Sequence, residues 1–97
     1  MAQIIQQDRR WLVSGSMTVQ QAKSLLAESA ALPAGNVLEI DLSSVSDVDT
    51  ATLSLLFEWM RQAEARGGKL TFTHLPENLA SLATLYGVLD LLPRHSH

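Results

Sequence analysis

Cysteine is absent from the 97-residue sequence. Disulfide scaffolds, cysteine-ligated zinc sites, iron–sulfur clusters and cysteine nucleophiles are therefore excluded. Basic charge is also scarce, because 7 lysine and arginine residues stand against 10 aspartate and glutamate residues, for a formal net charge of −3. Such a balance gives no positive field for a nucleic acid or for an anionic membrane surface. We therefore expect no nucleic-acid partner.

Long apolar runs are missing as well. No stretch of the sequence approaches the roughly 18–20 apolar residues that span a bilayer. The first residues, Met1-Ala2-Gln3-Ile4, lack the basic, apolar and small-residue pattern of a signal peptide. We expect a cytoplasmic protein, and any connection to a membrane would be indirect, through another chain.

The length and composition predict one small globular domain. A chain of 97 residues with 46% hydrophobic and 18% charged residues is ordinary for one folded domain and too short for two. We expect this domain to occupy residues 1–93. The polar residues 94–97 are expected to form a flexible C-terminal tail.

Hydrophobic periodicity alternates between strand-like and helix-like segments. Two short apolar runs, at 4–5 and 11–13, predict an antiparallel hairpin, because their connection is too short for a crossover. The following segments are a helix capped by Thr18 and closed by Pro33-Ala34-Gly35-Asn36, a strand at 37–42, a loop at 43–49, a helix at 50–66, a strand at 70–73 and a helix from Pro76. The order β-β-α-β-α-β-α predicts an α/β domain, with a mixed β-sheet and helices packed on it.

The most informative segment runs from a central strand at Asp41 through a polar loop to the start of the long helix at Thr50. Unpaired N–H groups and the positive end of the helix dipole favour negative charge at such a start. Asp49 is placed to cap the helix, and Thr50 presents a hydroxyl beside the same donors. A phosphoryl group on Thr50 would add about −1.5 to −2 charge, which Asp47 and Asp49 would repel. The residues alone leave a plain helix cap and a switch site both open.

This segment resembles the STAS domain, named for sulphate transporters and anti-sigma-factor antagonists. The resemblance rests on Asp-Leu-Ser-x-Val-x-x-Val-Asp-Thr at 41–50, the amphipathic helix after it, Gly67-Gly68, and a proline before the last helix. It covers nearly the whole chain. In that family the serine or threonine after the loop aspartate is a phosphorylation or switch site, which implies that role for Thr50.

Within the family, the chain is similar to the small stand-alone STAS subunits of Mla-type ABC transporters, the systems that maintain lipid asymmetry. Val48-Asp49-Thr50, Leu82-Ala83-x-Leu85-Tyr86 and Leu91-Leu92-Pro93-Arg94 carry this likeness. It implies a non-enzymatic cytoplasmic subunit that binds the transporter's ATPase subunit and supports its assembly and activity. Such a subunit would lie at the inner membrane only through that partner. Phospholipid trafficking that maintains outer-membrane lipid asymmetry would be the work of the whole complex.

One departure from the family concerns the phosphorylation site. The antagonists usually have Ser-Ser-Gly or Ser-Gly-Gly where this chain has Thr50-Ala51-Thr52. Without the glycine, the backbone of a kinase cannot approach as closely. This favours packing or docking as the role of Thr50. The alternative is an anti-sigma-factor antagonist-type protein controlled by phosphorylation at Thr50.

A second apolar strip on the long helix predicts a partner. At about 100° per residue, one face suffices to cover the sheet, and it carries Leu53, Leu56, Phe57, Met60 and Ala63. A second strip falls outside that face and consists of Ala51, Leu55 and Trp59. Thr52 lies between Trp59 and the inward face. Tryptophan is enriched at interface hot spots, so the strip indicates a protein contact; otherwise a neighbouring helix or Leu91-Leu92 covers it. The predicted partner-binding residues are Asp49, Thr50, Ala51, Thr52, Leu55 and Trp59.

Catalytic chemistry has little support in the sequence. Asp41, Asp47 and Asp49 could gather around a divalent cation, but a cap and a strand end account for two of them. Gly15-Ser16 does not match a nucleophile elbow, and Gly67-Gly68-Lys69 is a helix-to-strand turn rather than a phosphate loop. The three histidines fall in a loop, at His74, and in the tail. We expect no enzyme activity, no metal and no cofactor.

Overall fold

The computed structural model of the chain describes residues 2–7, 9–30 and 37–93. The elements are β1 (Gln3–Gln7), β2 (Arg10–Gly15), α1 (Val19–Ala30), β3 (Val37–Val45), α2 (Thr50–Ala65), β4 (Lys69–Thr73), α3 (Glu77–Leu85) and a 3₁₀ turn (Leu89–Leu91). This is the predicted order, and the α/β fold is confirmed. The predicted helix end at 33–36 and the predicted tail at 94–97 lie outside the described residues. The domain extent of 1–93 stays a prediction.

The strands form one mixed sheet in the order β1-β2-β3-β4. Strands β1 and β2 are antiparallel, as the predicted hairpin requires, and β2, β3 and β4 run parallel. Each parallel connection contains a helix. Since crossovers of this kind are right-handed, two that step in the same direction place their helices on the same face. Helices α1 and α2 therefore cover one face of the sheet.

The apolar core lies on the covered face. Alternate residues of β3, Leu38, Ile40 and Leu42, are at most 3% exposed. Ile40 pairs in register with Trp11 on β2 and Phe72 on β4, and both of these side chains are also buried. A strand with alternating burial fixes its own register, because a shift by one residue would turn the apolar set to the other face.

Strand β3 is longer than the sequence predicts. It continues to Val45, so the predicted loop at 43–49 is wrong for residues 43–45. Ser44 and Val45 pair with Ser14 and Gly15 in the parallel ladder, and Val45 is buried. The hydrophobic pattern does not predict this extension because Ser43 and Ser44 are exposed polar residues, which such a pattern assigns to a loop. The remaining loop, 46–49, is short and holds the start of α2 close to the sheet.

Helix α2 ends as predicted. Gly67 has a φ of 72°, in the left-handed region that favours glycine. The N–H of Gly68 donates to the carbonyl of Ala63 at 2.9 Å, which closes the last turn. None of the helices in the described ranges combines the length and the apolar character needed to cross a bilayer.

Candidate docking site at the start of helix α2

Asp49 caps two helices with one carboxylate. Its Oδ1 atom accepts the N–H of Ala51 at 2.9 Å, in the first turn of α2. Its Oδ2 atom accepts the N–H of Val19 at 2.9 Å, at the start of α1. Helix N-termini leave N–H groups without intrahelical partners and favour negative charge, so both bonds are charge-assisted. The predicted capping role of Asp49 is thus seen, and it extends to a second helix.

Thr52 completes the cap from inside the protein. Its Oγ1 atom accepts the N–H of Asp49 at 3.0 Å, which with the Asp49 carboxylate forms a capping box. The same hydroxyl donates to the carbonyl of Met17 at 2.6 Å, in the loop before α1. The side chain of Thr52 is 0% exposed. The Thr52 hydroxyl therefore links the loop before α2 to the loop before α1, and uses both its donor and an acceptor position to do so.

Backbone hydrogen bonds tie the same two loops together. The N–H of Met17 donates to the carbonyl of Asp47 at 2.8 Å, and the N–H of Ser46 donates to the carbonyl of Gly15 at 2.9 Å. The Asn78 amide donates to the carbonyl of Ser46 at 3.1 Å, which attaches the start of α3. The helix starts are held as one rigid platform.

Thr50 and Ala51 face outward from this platform. Thr50 is the first residue of α2 and its side chain is exposed, whereas Ala51 is half-buried. The Thr50 hydroxyl is thus accessible to a partner or to a modifying enzyme. A phosphoryl group there would meet the favourable helix dipole but also the negative charge of Asp49.

A shallow groove lies beside Thr50, between α1 and α2. Its volume is about 410 Å³, and we call it the α1–α2 groove. Three residues line it from α1 and four from α2: Ala22, Lys23 and Leu26, and Ala51, Ser54, Leu55 and Glu58. Small side chains on both walls allow another backbone to come close.

The predicted outward strip on α2 is wrong for Leu55 and Trp59, which are buried, and Thr52, which was predicted to bind a partner with them, is buried as well. These side chains are only 4%, 2% and 0% exposed, respectively. Helix α1 packs beside α2 and covers the strip. Of the three, Leu55 reaches the α1–α2 groove as part of its lining.

Trp59 has a structural role instead. Its Nε1–H donates to the Ser29 hydroxyl on α1 at 2.8 Å, and this bond is buried. Its ring meets that of Trp11 at 5.8 Å and 76°, an edge-to-face contact. Ser29 is 3% exposed and was not identified from the sequence. The sequence signal for Ser29 is a polar residue on the apolar face of α1, four residues after Leu25.

Asp41 is 4% exposed and belongs to a polar cluster on the face of the sheet opposite the Leu38, Ile40 and Leu42 side chains. It forms an ion pair with Arg10, lies 3.5 Å from the Nδ1 atom of His74, and accepts the N–H of Ser43 at 2.8 Å. Burial of the carboxyl acts to raise its pKa. The hydrogen bonds from Ser43 and the charges of Arg10 and His74 outweigh burial, so the pKa of Asp41 lies below its ordinary value of 3.8.

The aspartates considered as cation ligands do not come together. Asp41 is paired with Arg10 within the sheet, whereas Asp49 is used by the two helix starts. Among the described residues, the Asp47 carboxylate accepts a single long bond, 3.4 Å, from the Ser46 hydroxyl. Across residues 2–7, 9–30 and 37–93, no three His, Asp or Glu side chains are grouped to hold a metal ion. His95 and His97 lie outside these ranges.

Comparison with known protein families gives a match over most of the chain. A family model described as Mlab, STAS domain matches residues 6–93. The chain is also 41% identical over 56 residues to the intermembrane phospholipid transport system binding protein MlaB of Escherichia coli K12. That alignment covers 57% of this chain and 58% of the relative, less than two thirds of its length.

Solved structures agree on the fold. The anti-sigma factor antagonist SpoIIAA, in its unphosphorylated form, superposes with a TM-score of 0.74 at 14% identity, covering 100% of this chain and 90% of that chain. A substituted form of RsbS from Moorella thermoacetica gives a TM-score of 0.62 at 25% identity, covering 99% and 86%. The SpoIIAA likeness shows the fold alone.

Proposed function

The chain belongs to the STAS domain family, and from this membership we propose that it binds the ATPase subunit of an Mla-type ABC transporter. The identity to MlaB supports its place as a STAS subunit of an Mla system. In this proposal the chain catalyses no reaction and supports the assembly and activity of a complex that moves phospholipids and maintains lipid asymmetry. It is cytoplasmic and reaches the inner membrane only through its partner.

The observation that carries the proposal is the exposed start of α2 on a rigid base. Thr50 is exposed, while the residues on either side of it in the capping box, Asp49 and Thr52, are tied into the fold. A surface that is already ordered loses little conformational freedom on binding, which favours affinity. Thr50 and Ala51 with the adjoining α1–α2 groove are our proposed contact. Asp49 and Thr52 position it.

The test is a titration of the purified ATPase subunit of the same transporter with wild type and Thr50→Glu. A first-turn glutamate suits the helix dipole, so the fold should be retained. We expect Thr50→Glu to weaken binding about tenfold or more, because it adds charge and bulk within the contact. Ser24→Glu is the matched control, since it adds the same charge on an exposed position of α1. Equal affinities for all three proteins would contradict the assignment.

A second function is favoured by the accessible hydroxyl of Thr50 at a helix start. In this alternative the chain is an anti-sigma-factor antagonist-type protein, and phosphorylation of Thr50 releases its partner. Intact-mass measurement of the protein purified from its own cells distinguishes the two functions. A single phosphate mapped to Thr50, together with binding to an anti-sigma-type kinase and not to the ATPase subunit, would establish the alternative.

A further inference from the structure

A second groove lies on the other side of the α2 start, against α3. Its volume is about 480 Å³, and we call it the α3 groove. Asp47 and Val48 form one wall, directly before the cap residue Asp49. The opposite wall is a single face of α3, with residues at i, i+3, i+4 and i+7: Asn78, Ser81, Leu82 and Leu85. The groove therefore lies close to the proposed contact, since Val48 in its wall is two residues before Thr50.

The apolar side of this groove is only partly used by the core: Val48 and Leu82 pack against it, whereas Leu85 does not. Helix α3 is anchored through its other face, where Leu79 and Ala83 are both 0% exposed. Leu82 is half-buried, whereas Leu85 is 77% exposed, more than any other large apolar side chain of the described residues. Leu85 extends the partly exposed surfaces of Val48 and Leu82, and a contiguous apolar patch of this kind is typical of a contact surface.

The groove is formed in advance of any partner. The Asn78 amide donates to the carbonyl of Ser46 at 3.1 Å and its Oδ1 accepts the N–H of Leu79 at 2.8 Å. The other wall is fixed by the bond from Met17 N–H to the Asp47 carbonyl. Both walls are thus attached to the platform that holds Thr50.

At the end of the molecule that carries the groove, carboxylates outnumber lysines and arginines, although the positive ends of the helix dipoles offset part of this charge. Parallel strands deliver all three helix starts to this end, where Asp47, Asp49 and Glu77 lie. Lys23 lies about one turn after the start of α1 and is the basic residue closest in sequence to any of these helix starts. The other lysine and arginine residues of the described ranges lie near the strand starts or on the second half of α2: Arg9, Arg10, Arg61, Arg66 and Lys69.

From this geometry we propose that the α3 groove binds a basic amphipathic helix of the ATPase subunit, an inference that rests on the proposed function. Apolar side chains at i and i+3 or i+4 of that helix would pack against Val48, Leu82 and Leu85. A lysine or arginine would lie opposite Asp47, whose carboxylate accepts one long bond, from Ser46, within the part of the chain that the structure describes. The walls are a loop and a helix, so the groove offers no strand edge for an added β-strand.

The experiment is isothermal titration of the purified ATPase subunit with wild type and three variants. Leu85→Glu places a charge in the groove, and we expect it to weaken binding about tenfold or more. Leu91→Glu is the matched control, because Leu91 is 60% exposed and is not part of the groove; its affinity should match wild type. Asp47→Lys should weaken binding about threefold or more and reduce the dependence of affinity on salt.

The outcomes separate this inference from the proposed function. If wild type binds and Thr50→Glu weakens binding, but Leu85→Glu and Asp47→Lys bind as wild type does, the α3 groove is not the contact and the proposed function stands. If wild type does not bind the ATPase subunit, both proposals fail. If light scattering shows a wild-type dimer that Leu85→Glu dissociates without a change in ATPase affinity, the occupant is a second copy of the chain and the inference is overturned.

Discussion

The Oδ2 atom of Asp49 lies 2.9 Å from the backbone nitrogen of Val19, 30 residues earlier in the chain. Because Oδ1 binds the N–H of Ala51, one side chain sets the relative position of the starts of α1 and α2. The α1–α2 groove opens between these helices beside the exposed Thr50. The shape of the proposed contact therefore depends on a residue that need not touch the partner.

Asp49→Ala should destabilise the fold by about 2 kcal/mol, because it removes a cap from each of two helices and a single cap contributes about 1 kcal/mol. Urea denaturation followed by circular dichroism measures the change. Asp47→Ala is the control, because Asp47 also lies near the start of α2 but its side chain forms no described bond to a helix N–H. This variant should change stability by less than about 0.5 kcal/mol. Similar decreases in the free energy of unfolding for both variants would show that the two cap bonds of Asp49 do not stabilise the fold.

Thr52→Val should destabilise the fold by about 2–3 kcal/mol while keeping the shape of the side chain. The buried carbonyl of Met17 and the N–H of Asp49 both lose their partner, Thr52 Oγ1. Thr52→Ser keeps the hydroxyl and should lose only about 1 kcal/mol, for one buried methyl group. If valine were tolerated as well as serine, the hydrogen bonds of this hydroxyl would not stabilise the fold.

The fold was accessible from the sequence because its local signals agree. Period-two and helical patterns, together with Gly67-Gly68, give the right element order, and Asp49 was recognised as a cap. The end of β3 was missed because the exposed serines there carry no apolar pattern, and pairing with Gly15 on β2 decides the structure. Asp49-x-x-Thr52 is a polar variant of the capping-box spacing and indicates that Thr52 faces back toward the cap.

The site was harder to predict because helical periodicity does not show how many neighbours a helix has. The apolar face of α2 that covers the sheet was assigned correctly at Leu53 and Leu56, which are buried. The second strip was assigned to a partner, whereas α1 covers it. The Trp59 indole needs a hydrogen-bond acceptor when buried, and Ser29 on α1 supplies it. That pairing spans 30 residues of chain, and no local pattern reveals it.

Trp59→Ala should destabilise the chain by about 3–5 kcal/mol, the range for removing a buried aromatic side chain. Thermal and urea denaturation measure this loss. Trp59→Phe keeps most of the volume and removes the bond to Ser29, so its loss should be smaller. Ser29→Ala leaves the indole N–H without its acceptor and should cost about 1–3 kcal/mol in wild type but much less in Trp59→Phe. A Trp59→Ala variant with wild-type stability and reduced partner affinity would restore the interface role.

The stability of the protein should depend on pH through Asp41. Because the folded-state pKa of this carboxyl is below its ordinary value of 3.8, the unfolded chain binds its proton first as the pH falls. The ionised carboxylate therefore contributes its full stabilisation above the unfolded-state pKa, and this contribution is lost as the pH falls through the folded-state pKa. Asp41→Asn removes the titrating group and leaves the other carboxyls in place.

The measurement is the free energy of unfolding of wild type and Asp41→Asn, by urea denaturation between about pH 7 and pH 2.5. We expect wild type to be the more stable protein at pH 7, since its carboxylate pairs with Arg10 and accepts the Ser43 N–H. The difference should shrink only below about pH 4, the region where an aspartate with a lowered pKa takes up its proton. A difference that stays constant down to pH 2.5, or that grows on acidification, would show that the carboxyl is not held ionised by this cluster.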